Sequence, residues 1–323
     1  MHFIFKKWLC GSCLALILAG LPMAQASSEI RVVVSIKPLH SLASALMRGV
    51  AEPQLLIKGR ASPHHFSLKP SHLRLMNQAD IVLWLGDSVE SSLSKVIGQR
   101  PTSVQSLSLL QESSLIRLPM RDGGVWQHDH DHHDEKKGVF EGRRVDPHLW
   151  LDPLNAERIA QVLARALIAH DPTNEARYRA NLERLSKQLR QLDLEIKGRL
   201  KAVQKVPYLV YHDAYHYFEK RYLLAATGAF VLDLSHRPAA KRLRSLRKKI
   251  ASNSIRCAFL EPQYDARLLK SVVADLPIKI GILDPLGADL PAGEALYFRL
   301  MRRLTAQLEA CLMDETLKFE KIR

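Results

Sequence analysis

Short apolar runs alternate with segments of helical spacing along most of this chain. Ile30 to Ile36 (IRVVVSI), Pro53 to Ile57 and Asp80 to Leu85 (DIVLWL) have the length and apolar character of buried strands, and the first is rich in β-branched residues. Between them, Ser41 to Met47 and Pro70 to Met76 have helical spacing. The alternation resumes after residue 205, with strands expected at Pro207 to Tyr211 (PYLVY), Ala229 to Leu232, Cys257 to Leu260 and Ile278 to Leu283. Helices are expected near 213–221, 238–251 and 264–275. This alternation predicts an α/β fold, with parallel sheets covered by helices on both faces.

One long helix divides the two halves. Asp171 suits an N-cap and Pro172 a first helical position. Tyr178, Leu182, Leu185, Leu189, Leu192, Ile196, Leu200 and Val203 then recur at alternating spacings of three and four, one apolar stripe on one face. With α/β patterns on both sides of it, the expected organisation is two parallel-sheet lobes, 27–172 and 206–323, joined by one rigid helix at 173–205. The alternative is an ordinary long helix inside a single domain. Leu296, Leu300, Leu304, Leu308 and Leu312 mark a further helix near the C-terminus, with Cys311 beside the stripe.

The first 26 residues have the form of an export signal. Lys6 and Lys7 precede an apolar run from Trp8 to Leu21, and Ala24-Gln25-Ala26 matches the small-x-small pattern cleaved after Ala26. The run is short for a membrane anchor and is interrupted by Pro22. Export changes the reading of charge. The chain carries +14, or +12 without Lys6 and Lys7, a balance that often points to nucleic acid. An exported protein has no such partner, so a solvated basic surface is expected. The stretch Lys241, Arg242, Arg244, Arg247, Lys248, Lys249 fits that reading, because Leu243, Leu246 and Ile250 give it a buried face. Export also places Cys257 and Cys311, an even pair, in an oxidising compartment, where they are expected to form a disulfide. Two buried free thiols are the alternative.

Candidate chemistry gathers at element ends. His64 lies between a strand and a helix, His148 follows Asp146-Pro147, and His212 and Asp284 each directly follow a predicted strand. Open α/β sheets bind ligands outside the carboxyl ends of their strands. Imidazoles are good zinc ligands, and a carboxylate or water completes a four-coordinate shell. The spacing itself is no motif, since these residues are far apart in the chain.

At these residues the sequence resembles the zinc-uptake solute-binding proteins of bacterial ABC transporters, the ZnuA type within the ZnuA/TroA group. The resemblance covers essentially the whole mature chain. It is carried by Ser35-Ile36-Lys37-Pro38-Leu39, His64 with Phe66-Ser67-Leu68-Lys69-Pro70-Ser71, and Ala79-Asp80 before Trp84-Leu85-Gly86. His148-Leu149-Trp150-Leu151, His212-Asp213-Ala214-Tyr215, Glu261-Pro262-Gln263 and Leu283-Asp284-Pro285-Leu286-Gly287 continue it. The resemblance implies that His64, His148 and His212 are metal ligands, that Asp284 can supply a carboxylate, and that a disulfide joins Cys257 to Cys311. It implies zinc as the transported ion, a membrane permease as partner, a periplasmic location, action as a monomer, and no enzymatic activity or nucleic-acid binding. Two positions depart from the pattern. Pro63 replaces an acidic residue common before the first histidine, leaving Asp284 or a water as fourth ligand, and His65 replaces an Asp. Three imidazoles with at most one carboxylate favour zinc over manganese.

A second histidine feature, His128, His130, His132 and His133, sits in a polar segment at 122–138. His-rich tracts can bind metal weakly, and relatives carry such a loop here. Rival functions are a manganese or other divalent-metal binding protein, an adhesin on the same scaffold, and a zinc hydrolase using a metal-activated water.

Overall fold

The computed structural model describes residues 29–121, 139–140, 143–231, 240–252 and 255–313. The expected export signal over 1–26 and the histidines at 128, 130, 132 and 133 lie outside these residues.

The first half forms a four-stranded parallel sheet. Its strands are β1 (Val32–Val34), β2 (Gln54–Leu55), β3 (Ile81–Trp84) and β4 (Gln105–Ser108), in the order β2-β1-β3-β4. Helices α1 (Lys37–Met47), α2 (Pro70–Asn77) and α3 (Ser91–Ile97) connect them. All of β1 and β3 is buried, as expected of parallel strands covered on both faces. β4 is an edge strand of sequence QSLS, too polar to be expected from the apolar pattern. The short antiparallel pair β5 (Val139–Phe140) and β6 (Arg143–Arg144) follows. Helix α4 (Pro153–His170) begins at Pro153, capped by Asp152 accepting from the Leu154 amide at 2.9 Å.

The long helix is α5 (Glu175–Leu200), 26 residues and about 39 Å at 1.5 Å per residue. It begins later than expected, because Pro172–Asn174 form a 3-10 turn. The Asp171 carboxylate does not cap it. It accepts instead from Asn174 Nδ2 and the Tyr178 hydroxyl, each at 2.8 Å. Tyr178, Leu185, Leu189, Leu192, Ile196 and Leu200 are buried as the stripe predicted. The first part of α5 is tied to the first lobe, where Asn181 donates to the carbonyls of Leu46 and Arg48. Its second part is tied to the other lobe, where Asp193 accepts from Arg221 and Glu195 accepts from Arg302.

The second half repeats the architecture. β7 (Tyr208–His212), α6 (His216–Tyr222), β8 (Ala226–Val231), α7 (Ala240–Ser252), β9 (Cys257–Leu260), α8 (Arg267–Val273) and β10 (Lys279–Ile282) give a parallel sheet ordered β10-β9-β7-β8. Leu246 and Ile250 of α7 are buried in the apolar cluster on one face of this sheet, while Arg244 and Lys248 are exposed, as a solvated basic face requires. Helix α9 (Leu296–Leu312) packs against α1, α5 and β10, and the expected disulfide Cys257–Cys311 pins it to the start of β9. Among the described residues no helix is long and apolar enough to cross a membrane.

Several bonds join the two lobes around the cleft. Lys37 Nζ donates to the carbonyls of Gly287 (3.2 Å), Ala288 (2.6 Å) and Leu290 (3.0 Å). Ser41 Oγ donates to Glu294 O at 2.8 Å and Trp150 Nε1 to Pro285 O at 2.8 Å. The Tyr217 hydroxyl donates to Asp146 O at 2.8 Å, and Arg121 pairs with Asp213 and Glu219. One continuous apolar core, from Val32 in β1 to Leu312 in α9, runs through both halves.

Candidate metal centre

Each candidate histidine is placed by a short local device. His64 sits in the 3-10 turn Pro63–His65, which Ser62 opens by accepting from the His64 amide at 3.3 Å. Ser62 Oγ also bonds the Tyr264 hydroxyl of the opposite lobe at 3.0 Å, so the turn is fixed across the cleft. His148 precedes the 3-10 turn Leu149–Leu151, and Asp146 Oδ1 accepts both its backbone amide (3.0 Å) and its Nδ1 (2.8 Å). His212 is the last residue of β7. Glu261, just past the end of the neighbouring β9, accepts from its amide (3.3 Å) and its Nδ1 (2.6 Å).

These devices bring three residues from distant parts of the chain together. Each offers a ring nitrogen, and the three nitrogens lie within 4.8 Å of one another. Ring centroids are 5.2 Å apart for His148 and His212, 5.7 Å for His64 and His148, and 5.8 Å for His64 and His212. An ionised carboxylate only accepts, so Asp146 and Glu261 fix the proton of both rings on Nδ1 and leave the lone pair on Nε2. Those two Nε2 atoms face each other at 3.3 Å. Zinc bonded to nitrogen at 2.0–2.1 Å in a tetrahedron sets its donors about 3.3 Å apart, so the spacing suits one shared ion.

The electrostatics agree with a dication. Burial, and then the nearby His148 and His212, hold His64 well below its ordinary pKa, which keeps that ring neutral with a lone pair free for metal. Burial alone raises Asp146, but His148 beside it, through charge and hydrogen bonds, holds the carboxyl below the usual range. Asp146 and Glu261 are both buried directly behind the His148 and His212 rings. The space bounded by His64, His148, His212, Trp150, Gln263 and Leu286 is about 10 Å³, room for one water-sized occupant. Nitrogen donors without a carboxylate in the cluster suit zinc better than magnesium, calcium or manganese.

Asp284 is not brought into this cluster. Its Oδ1 accepts from Gln263 Nε2 (2.7 Å) and the Leu286 amide (3.0 Å), and its Oδ2 from the Ala288 amide (2.5 Å). The residue shapes its own loop, which turns at Gly287 with φ of 67°, a left-handed conformation that suits glycine. His65 is exposed at the rim. Asp146 and Glu261 carry no expected role from the sequence. An acid two residues before a histidine was a visible signal for the first. The second requires knowing that β9 lies beside β7.

The family described as zinc-uptake complex component A periplasmic (ZnuA) matches residues 32–311. The high-affinity zinc uptake system protein ZnuA of Brucella abortus (strain 2308) is 36% identical over 331 residues, spanning 95% of this chain and 96% of its own. The protein of the same name from Yersinia pestis is 33% identical over 317 residues, spanning 95% and 98%. In fold, the chain is similar to a crystal structure of ZnuA (TM-score 0.73, 21% identity, 88% of this chain and 99% of that one). It is similar also to the periplasmic zinc binding protein TroA from Treponema pallidum (TM-score 0.74, 17% identity, 88% and 99%). The matched span takes in all three clustered histidines and both sheets, and the chain belongs to the family of periplasmic zinc-uptake complex component A proteins.

Proposed function

We propose that this protein is the high-affinity zinc-binding component of an ABC transporter. It is exported to the periplasm with its signal cleaved after Ala26, captures one Zn²⁺ with His64, His148 and His212, and delivers it as a monomer to a membrane permease. Residues 27–172 and 206–323 serve as its lobes and 173–205 as the connecting backbone. The observation that carries this reading is the convergence of three imidazole nitrogens within 4.8 Å, two of them oriented by buried carboxylates. The arrangement suits holding an ion more than hydrolysis. Asp146 and Glu261 each give an oxygen to the far nitrogen of a ligand ring, so neither stands as a base beside a metal-bound water.

The test is zinc stoichiometry and affinity for the mature protein and for His64→Ala, His148→Ala and His212→Ala. One tight zinc per chain is expected, weakened severely by each change. A tight site that survives all three substitutions defeats the proposal.

A further inference from the structure

Three imidazoles leave one corner of a tetrahedral zinc shell to fill. Asp284 is poorly placed to fill it. Its oxygens already accept from Gln263 Nε2 and from the amides of Leu286 and Ala288, and it is buried. The loop that carries those amides is fastened in turn by Lys37, which donates to the carbonyls of Gly287, Ala288 and Leu290. Swinging Asp284 onto a metal strips three donors of their acceptor and strains a loop held by a buried ammonium.

Gln263 is oriented by the same contact. A carboxylate has no proton to give, so the amide nitrogen must face Asp284 and the amide oxygen must point elsewhere. That oxygen, Gln263 Oε1, is buried and meets no donor among the described residues. A buried amide oxygen without a donor is uncommon. Gln263 lines the same small cleft as His64, His148 and His212.

We propose that Gln263 is a positioning residue for the fourth coordination position, its Oε1 accepting a hydrogen bond from the water that completes the zinc shell while its Nε2 keeps Asp284 folded back. This inference rests on the zinc-binding reading above and adds the identity of the fourth ligand. A neutral water ligand leaves the charge of Zn²⁺ matched by Asp146 and Glu261 alone. It is also exchangeable, so an incoming donor can take that corner without first displacing a protein ligand.

The experiment compares wild type, Gln263→Met and Asp284→Asn in zinc affinity by chelator competition, with melting of the zinc-free proteins as a check on folding. Each is also loaded with Co²⁺ and titrated with azide while its visible spectrum is recorded. Gln263→Met is expected to melt near wild type and to lose about 10- to 100-fold in zinc affinity, the range for a lost outer partner. Azide is expected to shift the wild-type cobalt spectrum by replacing water, and to bind Gln263→Met more tightly. Asp284→Asn is expected to keep a cobalt site whose spectrum azide shifts. The inference is overturned if azide leaves the wild-type spectrum unchanged, or if Gln263→Met matches wild type in both zinc affinity and azide response. A wild type without tight zinc binding overturns the functional reading, and this inference with it.

Discussion

His148 and His212 present their Nε2 atoms to each other at 3.3 Å, each ring held from behind by a carboxylate on Nδ1. Two lone pairs that close repel one another unless a cation lies between them, so the ring arrangement is the one a bound cation requires.

That relationship makes the carboxylates the first place to test. Asp146→Asn and Glu261→Gln keep the size of each group and remove its charge, which frees the ring tautomer. Each is expected to weaken zinc binding by about 10- to 100-fold, because outer carboxylates both orient a ligand imidazole and raise its basicity. The measurement is zinc affinity by chelator competition at constant pH and salt. Affinity unchanged in both variants would show that the rings are oriented by packing alone.

A second prediction concerns Glu90, buried at the start of α3, where its Oε2 accepts from the Leu85 amide at 2.6 Å. Burial pushes its carboxyl from an ordinary 4.5 up to about 7, against the opposing pull of that amide. The folded state therefore binds this proton more readily than the unfolded chain between about 4.5 and 7. Stability falls as pH rises through that window and is level above it. The contribution lost is about 3 kcal/mol by the usual conversion of a pKa difference. Glu90→Gln is expected to remove this fall and to be more stable than wild type at alkaline pH. Urea midpoints measured below and above the window decide it: a wild type and variant with parallel pH dependence contradict the argument.

How far the sequence revealed this architecture depends on what each element buries. Runs such as Val32–Val34 and Ile81–Trp84 are apolar throughout because both faces of a parallel strand are covered, and they stood out. The α5 stripe was legible because that helix is exposed on its other side. β4 was hidden by its polar edge position. Helix α4 matches no element expected from the sequence, because its buried positions spread around much of the helix and blur a single stripe. At the site, the rule that ligands lie beyond strand ends located His212 and Asp284 equally well, but it fixes a backbone position and not the aim of a side chain. His212 turns to its partners, whereas Asp284 is consumed by the amides of Leu286 and Ala288. Lys37 is visible in the sequence only as part of the motif Ser35-Ile36-Lys37-Pro38-Leu39, and no spacing rule points to acceptors 250 to 253 positions away.

The disulfide should matter for stability and little for zinc. Cys257 and Cys311 are 54 residues apart, and closing such a loop stabilises by about 4 kcal/mol on the chain-entropy relation. The bond sits at the amino end of β9, whereas His212 and Glu261 act at the carboxyl ends of β7 and β9. The paired change Cys257→Ser with Cys311→Ser is expected to lower the thermal midpoint by several degrees and to leave zinc affinity near wild type. A large loss of affinity would mean that α9 shapes the cleft directly.

The last prediction is that zinc binding moves the lobes little. A hinge needs a few residues that can absorb a change in backbone angles, and between these lobes runs α5, an unbroken helix bonded to both. Bonds across the cleft oppose opening as well: Lys37 to three carbonyls, Trp150 to Pro285, and Tyr217 to Asp146. Opening the lobes would break these together and leave several of the groups buried without partners. The radius of gyration from solution scattering is therefore expected to change by less than about 1 Å on adding zinc, the behaviour of a preorganised binder. Lys37→Met supplies the control. It removes one clamp of the set, and hydrogen exchange at the amides of Leu286 and Ala288 should quicken as the loop loosens, with zinc slowing it again. A large contraction of the wild type on zinc binding would mean that the lobes part in solution, and that the bonds across the cleft form only when the ion is bound.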